Sequence, residues 1–311
     1  MIKNSKTKIV FMGTPQFAVP SLIALHQDPS FKIVLVVSEP DKPSKRNMQI
    51  QKPAINKLSM KLGLEVFQPE SLKNQEVIKK ILSYKSDIII TVAYGQFLPK
   101  ELLNKTINVH PSLLPKYRGP SPIQSAILNG DKKTGISIML SDKKIDHGPL
   151  LAQKEIKIDN LDTYKSLSEK LARTGTKFLL ETIKQYLSVG IKPKTQNHTQ
   201  ASICKLIKKQ DGELDFQKQA EILEREIRAY FPWPGSFFET KINNKKRLVK
   251  ILEAKVQKKL NQKIKIGILY SPNKKDLFIN CEKDTLEISK LQIEGKNSIS
   301  AQDFINGYLK K

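Results

Sequence analysis

The chain has 311 residues, with 54 Lys plus Arg against 30 Asp plus Glu, and a formal net charge of +24. This length makes two domains the expectation, and no stretch approaches the roughly 18 apolar residues of a membrane-spanning helix. Cys204 and Cys281 lie far apart with no Cys/His cluster around either, which argues against a zinc site and a disulfide framework and fits a reducing, cytoplasmic setting. The charge favours a polyanionic partner. Only six of the basic residues are Arg, however, and the abundance of Lys, Ile and Asn matches AT-rich codon usage, so part of the excess is assigned to composition.

The polar start leads straight into a strand at 7–13, followed by helical spacing at 17–26 (Phe17, Val19, Leu22, Ile23, Leu25). Phe31 to Val37 is a nearly continuous apolar run, as in a strand buried on both faces. Residues 39–57 form a Pro-punctuated polar loop carrying Lys42, Lys45, Arg46 and Lys52. A helix is expected at 74–83, then strands at 87–92, 107–110 and 135–140, and a long helix at 163–187. Strands alternating with helices predict an α/β, Rossmann-like, mostly parallel sheet. Residues 190–206 are polar and aperiodic and are expected to be a linker. Beyond a short helix at 217–229, strand-like runs at 235–240, 247–256, 263–270, 276–281 and 286–293 predict a small antiparallel, OB-like β-barrel. From Lys241 to Lys311 there are 17 basic and 7 acidic residues, a net +10. Trp233, between two prolines, is expected to be an interdomain packing anchor. The first βα turn has a single glycine, Gly13, so the dinucleotide fingerprint of a nicotinamide-dependent dehydrogenase is missing.

The chemistry concentrates in Asn108-Val109-His110-Pro111-Ser112-Leu113-Leu114-Pro115. Asn108 and His110, two apart on a strand, point to one face at the end where open parallel sheets bind ligands. An amide N–H beside an imidazole can hold a carbonyl oxygen as it becomes an oxyanion. By themselves these residues read as a turn cap and a packing histidine. A carboxylate in the loop after the 135–140 strand can orient the imidazole and move a proton. Spacing does not choose between Asp142 and Asp146, and His147 is read as a solvated loop residue.

The string N-x-H-P-S-L-L-P-x-Y-R-G at 108–119, with Asp146 in D-x-G-P, resembles the 10-formyltetrahydrofolate-dependent formyltransferases. Phe11-Met12-Gly13-Thr14-Pro15, Ala93-Tyr94-Gly95 and Gly130-Asp131 support the resemblance. Ile227-Arg228-Ala229-Tyr230 with Pro232-Trp233-Pro234 extends it towards the methionyl-tRNA formyltransferases, over essentially the whole chain. The resemblance implies a catalytic trio of Asn108, His110 and Asp146, and a folate-contacting loop of Ser112, Leu113, Leu114 and Pro115. It implies a formyl-folate-binding catalytic domain at 1–189, a linker at 190–206 and a basic, tRNA-binding barrel at 207–311. The basic loop around Lys42, Lys45 and Arg46 would approach the acceptor end of the tRNA. Implied partners are 10-formyltetrahydrofolate as co-substrate and initiator methionyl-tRNA, with a monomeric enzyme and no metal in the chemistry. The alternative is the same chemistry on glycinamide ribonucleotide or an amino sugar. An RNA-binding protein with a degenerate N-terminal domain is disfavoured by the intact trio. One departure is Lys143-Lys144, where the family usually has a small or apolar pair.

Overall fold

The computed structural model describes residues 6–43, 50–243, 245–258 and 263–309. In chain order, β1 (Thr7–Gly13), α1 (Val19–Gln27) and β2 (Phe31–Val37) come first. A short hairpin, β3 (Lys42–Pro43) and β4 (Ile50–Gln51), precedes α2 (Ala54–Lys61), β5 (Val66–Phe67) and α3 (Gln75–Ser83). Next come β6 (Ile88–Val92), α4 (Lys100–Leu103), β7 (Thr106–His110), α5 (Pro122–Leu128), β8 (Lys133–Leu140), β9 (Leu150–Lys157) and α6 (Tyr164–Ser188). The remainder holds α7 (Ala220–Tyr230), β10 (Ser236–Ile242), β11 (Lys245–Gln257), β12 (Leu269–Tyr270) and β13 (Leu277–Asn280). It ends with β14 (Thr285–Ile293), β15 (Ser298–Ser300) and α8 (Ala301–Tyr308).

Two compact units emerge. The first spans 1–119, 133–157 and 168–204. Its seven-stranded sheet has the order β5-β2-β1-β6-β7-β8-β9. The strands from β5 to β7 run parallel, whereas β8 is antiparallel to β7 and β9 to β8. The sheet is therefore mostly parallel, with an antiparallel edge. Ile9 to Met12 of β1 are fully buried, as are Leu35 to Val37 of β2. Such runs arise when helices cover both faces, and each side chain withdrawn from water contributes about 1.5–3 kcal/mol. On α3, Asn74 caps the first turn by accepting from the Glu76 N–H at 2.9 Å, and Ile78 and Ile81 turn inward. The packing of α6 in this unit shows in the four-residue spacing of Leu171, Gly175, Leu179 and Ile183, with Gly175 standing against Ile136.

The second unit spans 120–132, 158–167 and 205–311. Its six strands are all antiparallel, in the order β10-β11-β14-β13-β12 with β15 beside β14. The sheet curls into a half-barrel. Val249, Ile251, Leu277, Ile288 and Leu291 share one core with Phe304 of α8. Helix α5 packs against α7. Helices α2, α5 and α8 and the polar strand β9 were not expected from sequence. The expected strand at 263–270 is reduced to Leu269–Tyr270 among the described residues. Trp233 is 55% exposed, so the expected packing role is not the environment its indole occupies. Both cysteines are buried. No helix among the described residues is long and apolar enough to cross a membrane.

Candidate active site

The site forms in the first unit, where β6 and β7 end. Asn108 on β7 lies beside Thr91 on β6, and the Thr91 hydroxyl donates to Asn108 Oδ1 at 2.7 Å. That contact fixes the amide: its oxygen is occupied, so Nδ2 faces the other way. Nδ2 donates to Asp146 Oδ1 at 3.3 Å. His110, 4% exposed, ends the same strand. Its Nε2 lies 2.9 Å from the Tyr117 carbonyl oxygen, and its Nδ1 lies 3.5 Å from Asp146 Oδ2. A carbonyl only accepts, so Nε2 carries a hydrogen.

Asp146 closes the constellation. Its backbone is left-handed, with φ of 47°, and Oδ2 accepts from the Gly119 N–H at 2.8 Å. One carboxylate thus touches the amide, the imidazole and the loop after β7. The fold brings Asn108, His110 and Asp146 together. Asp142 is engaged elsewhere: Oδ2 meets His147 Nδ1 at 2.6 Å and Oδ1 accepts from the Lys144 N–H at 2.8 Å. His147 is not the solvated residue expected from sequence, because its ring also stacks on His198 with centroids 3.9 Å apart. The His198 imidazole is held below its ordinary pKa by partial desolvation, then by the neighbouring His147 and the Arg118 guanidinium. Lys143 and Lys144 are exposed, so the unusual pair leaves the carboxylate's contacts intact.

The 112–115 loop is tied from beneath. Ser137 Oγ donates to the Ser112 carbonyl at 2.7 Å and accepts from the Leu114 N–H at 3.0 Å. Gln153 Nε2 donates to the Leu114 carbonyl at 2.8 Å. The Ser112 hydroxyl is consumed by the Lys116 carbonyl at 2.6 Å, and Ser112 and Leu114 are buried. Leu113, Pro115 and the main chain are what this loop can present to a ligand. Gly135 makes that geometry possible: a Cβ there would stand 2.3 Å from the Lys154 carbonyl oxygen and 2.5 Å from Leu113 Cδ2. At the end of β6, Ala93 has φ of 50°, and Ala93 and Gly95 are exposed. Burial, with Glu39 nearby, raises the pKa of the Tyr94 hydroxyl far above its usual range.

Sequence reasoning missed residues 190–206 as part of the site. Arg118 N–H donates to the Ser202 carbonyl at 2.9 Å, and Cys204 N–H donates to the Arg118 carbonyl at 2.8 Å. Gln196 reaches the Asp146 loop. Nothing periodic marks this segment. Of the basic loop, Lys42 pairs with Glu39 at 2.7 Å, whereas Lys45 and Arg46 lie outside the described residues. The cavity of about 450 Å³ in the second unit, lined by Phe231, Ser236 and Lys250, is not built by any of the trio.

The chain matches the Formyl transferase family over residues 7–183 and the Formyl transferase, C-terminal domain family over 206–309. The methionyl-tRNA formyltransferase of Thermodesulfovibrio yellowstonii is 40% identical over 303 residues, which cover 96% of this chain and 95% of that protein. That of Finegoldia magna is 37% identical over 306 residues, covering 97% of each. Among solved structures, the sugar 3N-formyl transferase WlaRD shares the fold with a TM-score of 0.65 at 21% identity, over 94% of this chain and all (100%) of that one. HypX from Aquifex aeolicus, in complex with tetrahydrofolic acid, does so with a TM-score of 0.62 at 16% identity, over 97% of this chain and 47% of that one. On the strength of full-length relatives at these identities, the chain belongs to the methionyl-tRNA formyltransferase family.

Proposed function

We propose that this enzyme transfers the formyl group of 10-formyltetrahydrofolate to the α-amino group of methionyl-initiator tRNA, using Asn108, His110 and Asp146. The observation that carries the reading is the single carboxylate of Asp146 in contact with Asn108, His110 and the Gly119 N–H. The pterin would lie against the exposed 93–95 turn and the Asp146 loop, with the 112–115 loop contacting the folate. The rigid backing of that loop by Ser137 and Gln153 supports its role as a fixed wall.

In the reaction, the neutral amine attacks the formyl carbon. An α-amine has a reference pKa of about 7.7–8.0, and the ester lowers it, so a nucleophilic fraction exists near neutrality. The new N–C bond pushes the carbonyl electrons onto oxygen, where Asn108 Nδ2 and His110 Nε2 donate. His110 Nε2 does so once the formyl oxygen takes the place of the Tyr117 carbonyl. Asp146 accepts the proton shed by the nitrogen. The C–N10 bond then breaks, and N10 takes that proton from Asp146 as it leaves as tetrahydrofolate. Each oxyanion donor is worth about 10²–10³ in rate.

The tRNA body would lie on the second unit, acting as a monomer. Exposed Lys241, Lys245, Lys246 and Arg247 cluster on the β10–β11 hairpin and offer phosphate contacts. The catalytic part of the chain would be 1–189, completed by the 190–206 segment that bonds to Arg118 and the Asp146 loop, and the tRNA-binding part 207–311. The test is formyl transfer by Asn108→Ala and His110→Ala. Turnover falling by about 10² with folate binding retained supports the reading, and near-wild-type turnover removes it.

A further inference from the structure

The Asp146 backbone is left-handed and follows the exposed Lys143, Lys144 and Ile145; within the loop Asp142 ties the Lys144 N–H and His147, not the Asp146 main chain. Its support comes from 50 residues away. Gln196 is 4% exposed, and its Nε2 donates to the Asp146 carbonyl at 2.9 Å and to the Gly148 carbonyl at 2.7 Å. Its Oε1 accepts from Arg118 Nε at 3.2 Å and from Nη2 at 2.6 Å. A primary amide has two hydrogens to give and two lone pairs to offer, so this side chain is saturated. Arg118 is 9% exposed and spends Nη2 also on His198 Nδ1 at 2.9 Å.

The same two anchor points locate the carboxylate. Arg118 precedes Gly119, whose N–H holds Asp146 Oδ2; Gln196 holds the Asp146 main chain. The segment is pinned at both ends, by paired Lys194–Leu150 hydrogen bonds of 2.7 and 2.8 Å and by the Arg118 main chain between Ser202 and Cys204. Resting on the catalytic reading above, we propose that Gln196 and Arg118 are positioning residues. Residues 194–204 form a strap that sets the Asp146 carboxylate against His110 and Asn108. Loosening it moves the carboxylate without removing it, and a displacement of about 1 Å costs about 10²-fold in such a site.

The informative variant is Gln196→Glu. It keeps acceptors for Arg118, so the strap stays attached, but it sets a carboxylate against two carbonyl oxygens and cannot hold Asp146. The experiment measures kcat, KM for each substrate and Tm for the full-length Gln196→Glu and Gln196→Ala enzymes, alone and combined with Asp146→Asn. The expected result is a kcat loss of about 10- to 10²-fold in both single variants, with little change in KM for methionyl-tRNA and a lowered Tm in each, because two carbonyls lose their buried donor. In the Asp146→Asn background neither substitution lowers kcat further, because the group being positioned is gone. A full multiplicative loss in the double variants makes the role merely structural and overturns the proposal. So does wild-type kcat in both single variants while Asp146→Asn is inactive. If Asp146→Asn itself turns over normally, the catalytic reading fails first and the proposal with it.

Discussion

Replacing Asp146 by Asn removes one charge and one acceptor and leaves the shape unchanged. The carboxylate accepts from Asn108 Nδ2 at 3.3 Å and from the Gly119 N–H at 2.8 Å, and it faces His110 Nδ1 at 3.5 Å. An amide has a single acceptor oxygen. If that oxygen keeps Gly119, the new NH₂ opposes the Asn108 amide; if it flips, it opposes the Gly119 N–H. One half-buried donor is left unpaired in either rotamer, costing about 1–3 kcal/mol of stability. In a domain of this size that lowers Tm by about 2–4 °C per kcal/mol. The larger effect is on rate. A positioned proton acceptor is worth about 10²–10⁴, and the loss also misaligns His110, so kcat should fall by about 10³ or more. Folate binding, read by fluorescence titration, should change little. Asp142→Asn is the control of equal charge: its partners are His147 and the Lys144 N–H, so turnover of methionyl-tRNA should drop only mildly. Severe loss in Asp142→Asn beside normal turnover in Asp146→Asn would refute the assignment.

Gly135→Ala should lower both Tm and folate affinity, because the added methyl meets the Lys154 carbonyl of the paired strand as well as Leu113 of the 112–115 loop; equal folate affinity in both proteins would show that this loop does not meet the ligand. Phe304→Ala removes a ring that is 2% exposed in the second unit's core and should cost about 3–5 kcal/mol in denaturant unfolding; a loss within the range of about ±0.5 kcal/mol seen for surface sites would contradict the described core. Binding of methionyl-tRNA should weaken linearly in log–log against salt. In Lys245→Ala/Lys246→Ala/Arg247→Ala the slope should be shallower, whereas an unchanged slope would place the phosphates elsewhere. Lowering the pH through the ordinary histidine range of about 6.5 should destabilise the strap. His198 has a depressed folded pKa, so the unfolded chain takes up the proton first and stability falls as pH drops. The same scan on His198→Asn should be flatter.

The buried runs of β1, β2 and β6 were legible because both faces of a parallel sheet are covered, so nearly every residue is apolar. Asn108 and His110 were legible for a related reason: two residues apart on a strand share a face. The choice between Asp142 and Asp146 was not, since both follow the same strand and only the loop's left-handed turn at Asp146 aims one inward. Strand β9 escaped notice because it is an edge strand whose Gln153, Lys154 and Glu155 face water or the 112–115 loop, leaving no apolar period. Helices α5 and α8 did carry signals: Pro122 opens the first, and Ser300 with Asp303 forms a capping box on the second. The strap was illegible in principle. Its long-range hydrogen bonds join residues 44 to 87 apart, and a polar, aperiodic segment looks the same whether it spans solvent or holds a loop of the candidate site.

The most direct test of the central claim is to supply 10-formyltetrahydrofolate labelled in the formyl carbon and ask where the label goes. Free methionine, glycinamide ribonucleotide and methionyl-initiator tRNA are offered in parallel to the full-length enzyme and to Asp146→Asn. The account predicts label on the methionine of the tRNA alone, lost in the variant. Label on glycinamide ribonucleotide or on free methionine, with methionyl-tRNA left unformylated, would contradict it.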